Sequence, residues 1–221
     1  LLNRHRQIQK NLALRSKIFQ AIRDFFNDHG YLEVDTPERI PAPAPEPFID
    51  AMPANGWYLQ ASPELCMKRL LAAGYPKIFQ ICKCFRKNER GEKHLPEFTM
   101  LEWYEAGATY FDLMARCEAL ILFICRQLQM PEALSYQTRQ IDLRPPWPKL
   151  SVKEAFDQFS SMDIQTAITK DKFDEIIAFD IEPNLGVLEP IFLYDYPAST
   201  AMLAAPKPDA PDIAQRFELY I

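Results

Sequence analysis

Most of the side chains in this chain that could do chemistry fall between residues 80 and 104. Two strand-like runs, Lys77–Arg86 and Phe98–Glu105, are joined by the polar stretch Lys87–Glu97, which outlines an antiparallel hairpin with a long charged loop. Period-two geometry puts Phe98, Met100, Glu102 and Tyr104 on one face of the second strand, and Gln80, Cys82, Cys84 and Arg86 on one face of the first. A lone carboxylate between two aromatics, with an arginine at the neighbouring strand's end, is expensive to desolvate. The pattern therefore reads as a functional face rather than a core. Cys82 and Cys84 have no His or third Cys beside them and read as buried small hydrophobes, not metal ligands. The six glycines lie far apart, so no Walker loop or dinucleotide fingerprint can be written. Any nucleotide must be handled by side chains.

The elements that position this face follow from periodicity. Ile8, Leu12, Arg15, Phe19, Ile22 and Phe26 keep a 3.6-residue period and predict one helix from Arg4 to His29, stopped by Gly30. Tyr31–Val34 reads as a short strand ended by Pro37, and Pro41–Pro47 as an extended surface loop. Trp57–Gln60 is a further strand, and Pro63–Ala73 a helix with Ser62 as its N-cap. Beyond the hairpin, helices are expected over Tyr110–Leu128, Val152–Phe159 and, more weakly, Lys172–Phe179. Arg144–Pro148 and Pro206–Pro211 read as proline-rich loops. Ile191–Tyr196 reads as a strand, and another begins at Phe217. The fold class is α+β, a mainly antiparallel sheet flanked by helices.

Composition narrows the function. The 221 residues carry 25 Lys+Arg against 30 Asp+Glu, a net charge of −5 that leaves no electrostatic footprint for non-specific nucleic-acid binding. The longest apolar run, Ala119–Cys125, is too short to span a bilayer, and Leu1–Lys10 has no hydrophobic signal core. Five cysteines without CxxC spacing read as reduced thiols of a cytoplasmic protein. The skew of 19 Pro to 6 Gly, where average usage gives roughly 11 and 15, places the prolines in surface loops.

Phe85-Arg86-x-x-Glu89-Arg90-Gly91-x-x-His94-x-Pro96-Glu97-Phe98-Thr99-Met100-Leu101-Glu102-Trp103-Tyr104 resembles motif 2 of class II aminoacyl-tRNA synthetases in its lysyl form. The first helix with Gly30–Pro37 resembles motif 1, which builds the dimer interface in that family. Ser62-Pro63-Glu64-Leu65-x-x-Lys68-Arg69-Leu70 is similar to the segment before motif 2. Glu182–Gly186 and Tyr196–Ser199 are most similar to one branch, the elongation factor P–(R)-β-lysine ligases. The resemblance runs from about residue 4 to residue 221, as a single class II synthetase-like catalytic domain over 1–221 whose C-terminal part, with motif 3, is missing.

The resemblance implies ATP-dependent activation of (R)-β-lysine, or lysine, as an adenylate, and its transfer to a lysine side chain of elongation factor P. Arg86 matches the catalytic α-phosphate arginine, a role a bidentate guanidinium suits. Phe98 matches the adenine-stacking residue. Glu89 resembles the acid that reads the adenine amino group, bordered by Lys87 and Asn88, and His94 is placed for the distal phosphates. Ser62, Pro63, Glu64, Glu102 and Tyr104 match the substrate pocket, where two carboxylates suit a dication. Glu218 with Leu219 matches a nucleotide and Mg²⁺ position. A homodimer is implied, and the acidic balance argues against tRNA.

Departures and alternatives stand beside this. Leu95 replaces a common Asn, Asn88 a common Glu, and Glu105 takes an often basic place. Without the Asn-Gly-Phe segment and motif 3, the chain as written is expected not to complete the reaction. The residues alone leave open a lysyl-tRNA synthetase catalytic core or a non-catalytic adaptor retaining the fold. Taken singly, Phe98 and Tyr104 could be core aromatics, Glu64 a helix-dipole partner, His94 incidental surface, and Arg86 and Glu89 a solvated ion pair.

Overall fold

The periodic run that opens the chain folds as α1 (Leu2–Gln7) and α2 (Gln9–Asp28). The computed structural model describes residues 2–45, 49–91, 93–200 and 203–221. Glu46 and Pro47 of the proline-rich run, and Glu92 of the hairpin loop, lie outside them. The single helix expected from Arg4 to His29 is interrupted at Ile8. The helical ladder nonetheless continues, since Ile8 N donates to Arg4 O (3.1 Å) and Leu12 N to Ile8 O (2.9 Å). Gly30 closes α2 at φ +75°, a conformation that suits glycine, with Tyr31 N donating back to Phe26 O.

The chain divides into two compact units, Leu1–Ala108 and Thr109–Ile221. In the first, β1 (Leu32–Glu33) pairs parallel with β5 (Lys77–Phe85), which pairs antiparallel with β6 (Glu97–Glu105). A second small sheet has the order β2 (Arg39–Ile40), β4 (Trp57–Leu59), β3 (Met52–Ala54), and α3 (Glu64–Ala72) lies between β4 and β5 in the chain. Phe26 of α2 stacks on Phe79 at 4.7 Å and meets Trp103 at 5.4 Å. One face of the β5–β6 hairpin is thus committed to the aromatic core, where each buried ring contributes roughly 2–3 kcal/mol. The other face is left for the residues singled out by spacing.

The second unit runs through α4 (Tyr110–Gln127), β7 (Ala133–Tyr136), β8 (Arg139–Asp142), β9 (Lys149–Ser151), α5 (Val152–Phe159), α6 (Ile164–Thr169) and α7 (Phe173–Ile176). It ends in β10 (Ile191–Pro197), β11 (Pro206–Lys207) and β12 (Ala210–Tyr220). Thr109 with Asp112, and Ser151 with Glu154, close capping boxes at α4 and α5. The sheet order is β11-β12-β10-β9, with Val152, Phe156, Phe173, Ile181, Leu193 and Tyr196 in one buried cluster.

Two expectations change here. Pro206–Pro211 is not a plain loop but the turn of a β11–β12 hairpin, and β12 begins at Ala210 rather than Phe217. Pro206 is tolerated because β11 is an edge strand, where a missing N–H costs no ladder bond. The weak helix expected over Lys172–Phe179 ends at Ile176 and widens into a π turn, Ile177–Ile181. That turn keeps Ile177 and Ile181 buried. Among the described residues, no helix is long and apolar enough to cross a membrane, and all five cysteines are free.

Candidate functional site

The β5–β6 register settles how the face is built. Cys84 lies opposite Phe98, Cys82 opposite Met100, Gln80 opposite Glu102 and Ile78 opposite Tyr104. Directly paired residues share a side of the sheet, so the two sets expected from alternation are halves of one surface. Ser62, in the turn before α3, reaches it: its Oγ donates to Glu102 Oε2 at 2.8 Å and accepts from Glu64 N at 3.1 Å. Pro63, not Ser62, occupies the residue flanking the helix, so the hydroxyl expected as a simple cap does double duty. Tyr104 OH donates to the other oxygen of Glu102 at 2.5 Å.

Glu102 is thereby a half-buried carboxylate with both oxygens oriented, and among the described residues no basic side chain is bonded to it. Burial raises its pKa above the ordinary carboxylate value; the hydrogen bonds from Tyr104 and Ser62 pull it partly back, and the charge of Glu64 pushes it up again. Burial, and then the Glu102 charge, also raise the Tyr104 phenol, which keeps it a donor. Glu64 is held by Lys68 at 2.6 Å, an i,i+4 pair on α3. Sequence reasoning passed over Lys68, although the i,i+4 spacing was its signal.

Arg86 follows the end of β5. Its Nε donates to Ala61 O at 3.4 Å, its guanidinium lies 5.2 Å over the Phe98 ring, and Glu89 Oε2 stands 3.7 Å away. The backbone fixes this corner: Arg86 N donates to Pro96 O and Lys87 N to Asp50 O. Asn88 turns the chain at φ +66°, a conformation Asn tolerates better than most residues. Gly91 N closes the loop onto His94 O at 3.1 Å. Lys87, Asn88, His94 and Leu95 are exposed along the rim.

The first unit therefore brings together Ser62, Pro63, Glu64, Glu102 and Tyr104 as one group and Arg86, Glu89 and Phe98 as a second. Glu218 and Leu219 belong to β12 of the second unit. Glu218 is paired with Arg216 and accepts from Tyr220 OH at 3.1 Å; the same hydroxyl lies 3.1 Å from Glu182 Oε1. Leu219 packs its side chain against the Tyr110, Met114, Trp147 and Phe192 cluster. Glu105, the departure noted in the sequence, is occupied by Tyr31 OH and Lys77, both at 2.6 Å.

A guanidinium stacked on an aromatic ring is suited to an anion, and an oriented, half-buried carboxylate on the same hairpin to a cationic group. The fold that carries this face is α+β. Comparison with known proteins names the group: the family described as tRNA synthetases class II (D, K and N) matches residues 1–221, and the chain belongs to it. Curated relatives include the elongation factor P–(R)-β-lysine ligases of Pectobacterium carotovorum subsp. carotovorum (strain PC1), 39% identical, and Pectobacterium atrosepticum, 38% identical. Each alignment covers 95% of this chain and 69% of the relative. The lysine–tRNA ligase of Moorella thermoacetica is 33% identical over 97% of this chain and 49% of its own length. The chain thus spans about half the length of the lysine–tRNA ligases it matches.

Proposed function

We propose that the full-length protein is an ATP-dependent ligase that activates (R)-β-lysine and transfers it to a lysine side chain of elongation factor P, and that this chain supplies its α-phosphate arginine and substrate carboxylates. The observation that carries the reading is Glu102, half-buried, oriented by Ser62 and Tyr104, and among the described residues bonded to no cationic side chain. Such a carboxylate suits a ligand ammonium, and Glu64 nearby suits the second charge of a diamino acid. The greater identity to the elongation factor P ligases than to the lysine–tRNA ligase favours the β-amino acid and the protein acceptor.

In the first step the substrate carboxylate attacks the α-phosphorus of ATP, and pyrophosphate leaves. Arg86 neutralises charge on the phosphate as it builds, while Phe98 packs against the base and Glu89 accepts from its amino group. Lys87, Asn88, His94 and Leu95 form the exposed rim on the phosphate side. In the second step the acceptor lysine's free amine attacks the acyl carbon, AMP leaves, and the amine gives up a proton. Glu218 fits a hard cation in donor type, its carboxylate standing beside that of Glu182 with one tyrosine hydroxyl between them. To hold Mg²⁺ there, Glu218 would have to be released by Arg216.

The exposed apolar residues Leu12 and Leu14 on α2, with Leu32 on β1, support a homodimer through the motif 1-like segment. The lysine–tRNA ligase match supports a second reading, lysine activation for tRNA. Incubation of the full-length protein with ATP, (R)-β-lysine, L-lysine, elongation factor P and tRNA, followed by mass spectrometry of both acceptors, separates them. One acylated lysine on the factor is the expected result; acylated tRNA with an unmodified factor would sink the reading.

A further inference from the structure

One polar group on the functional face takes part in none of these contacts. Gln80 sits directly across the ladder from Glu102 and is 1% exposed. Among the described residues neither its Nε2 nor its Oε1 has an oxygen or nitrogen partner; the Cys82 thiol, two residues along the same face, offers the Nε2 a weak sulfur contact and leaves the Oε1 unmatched. The residues before and after it on that face of β5 are Ile78 and Cys82, and Met100 adjoins Glu102 on β6, so the face around it is otherwise mostly apolar. The opposite face, with Phe79 and Trp103, is filled by Phe26, so Gln80 is not turned toward that core. Both oxygens of Glu102 are already engaged by Ser62 and Tyr104, which accounts for the carboxylate but not for the amide beside it. A buried carboxamide oxygen without a partner is destabilising, and proteins retain one where a ligand or water completes it.

We infer that Gln80 is a substrate-contacting specificity residue, whose amide oxygen accepts an N–H from the same ammonium group that Glu102 neutralises. The inference rests on the reading of this face as a diamino-acid pocket. An ammonium offers three donors, and a neutral acceptor next to the carboxylate takes one of them without burying a second negative charge. The pair selects a primary amine over a hydroxyl or methyl isostere, because only the amine satisfies both groups at once.

The test is Gln80→Met, of similar volume but without the amide, compared with the unmodified chain and with Glu102→Gln. Calorimetric titration with (R)-β-lysine, L-lysine and ATP is read beside the ligand-free thermal midpoint. The expected result is amino-acid binding weakened roughly ten- to hundredfold, ATP binding within about twofold, and a midpoint unchanged or raised, since an unpaired buried amide oxygen has gone. Gln80→Glu, which keeps an acceptor in place, is expected to bind both amino acids within about threefold of the unmodified chain. Unchanged amino-acid affinity in Gln80→Met while Glu102→Gln loses it would overturn the role of Gln80 and leave the pocket reading standing. A lowered midpoint with unchanged affinity would make Gln80 structural. If Gln80→Met does not fold, Gln80→Ala takes its place: amino-acid affinity lost with ATP affinity kept supports the inference, and unchanged amino-acid affinity overturns it. An unmodified chain that binds neither amino acid overturns the pocket and the inference together.

Discussion

The Ser62 hydroxyl donates to Glu102 across 2.8 Å while accepting the Glu64 amide at 3.1 Å. One small side chain thereby fixes the carboxylate on β6 and the start of α3. Ser62→Ala removes the donor and leaves one oxygen of the half-buried Glu102 without it. The expected cost is about 1–3 kcal/mol in stability, read by urea denaturation, together with amino-acid binding weakened by roughly tenfold for each 1.4 kcal/mol lost there. An alanine variant with unaltered binding would separate Ser62 from the pocket.

The pH dependence follows from Glu102. Burial raises its folded pKa above the ordinary value of 4.5, so the folded chain holds that proton more tightly than the unfolded one. Relative to an ordinary Glu, stability at this position is fully present below the unfolded value and is lost as pH rises through the folded value. Binding of an ammonium ligand runs the other way, since it needs the ionised carboxylate. Affinity for (R)-β-lysine is expected to fall on acidification at a pH above 4.5, and the step should vanish in Glu102→Gln. Calorimetric titrations across a pH series check this, and a step that survives in Glu102→Gln assigns the titration elsewhere.

Arg86 lies 5.2 Å over Phe98 and is tied only loosely, at 3.4 Å to Ala61 O and 3.7 Å to Glu89. These weak contacts leave the guanidinium able to take a phosphate, and the long, partly exposed ion pair contributes at most about 1 kcal/mol. Arg86→Ala should therefore slow amino-acid activation on the order of 10²–10³-fold while moving the thermal midpoint little. A variant within threefold of the unmodified rate would remove Arg86 from the chemistry.

Gly186 gives a purely structural prediction. It sits at φ +64°, and a Cβ there would stand 2.7 Å from Ile221 N and from the Tyr220 carbonyl carbon. Gly186→Ala meets strain and backbone overlap together, and a loss of at least about 2 kcal/mol is expected. Denaturant titration measures it; an alanine variant of equal stability would show that β12 can shift at no cost.

How far the sequence carried these conclusions differs by region. Strict alternation made Phe98, Met100, Glu102 and Tyr104 legible as one face before any coordinates, because a strand's side-chain period is fixed. The same rule placed Gln80 beside them but could not show that its amide oxygen lacks a partner, which depends on what packs above it. Gly30 was legible from its position after an amphipathic run. Gly186 was not, because its constraint comes from β12, far along the chain. Pro206 and Pro211 misled by composition: edge pairing tolerates proline, and only the partner strand reveals an edge. The hydroxyl of Ser62 read as a helix cap because local sequence cannot show a carboxylate forty positions away at hydrogen-bond distance.

The central claim, that this face activates a diamino acid with ATP, is tested most directly by amino-acid-dependent ATP–pyrophosphate exchange with the full-length protein. The account predicts exchange that depends on (R)-β-lysine, exceeds that with L-lysine, and collapses in Glu102→Gln. Exchange equal or greater with L-lysine, accompanied by charging of tRNA, would contradict the assigned substrate. Absence of exchange with either amino acid would contradict the claim itself.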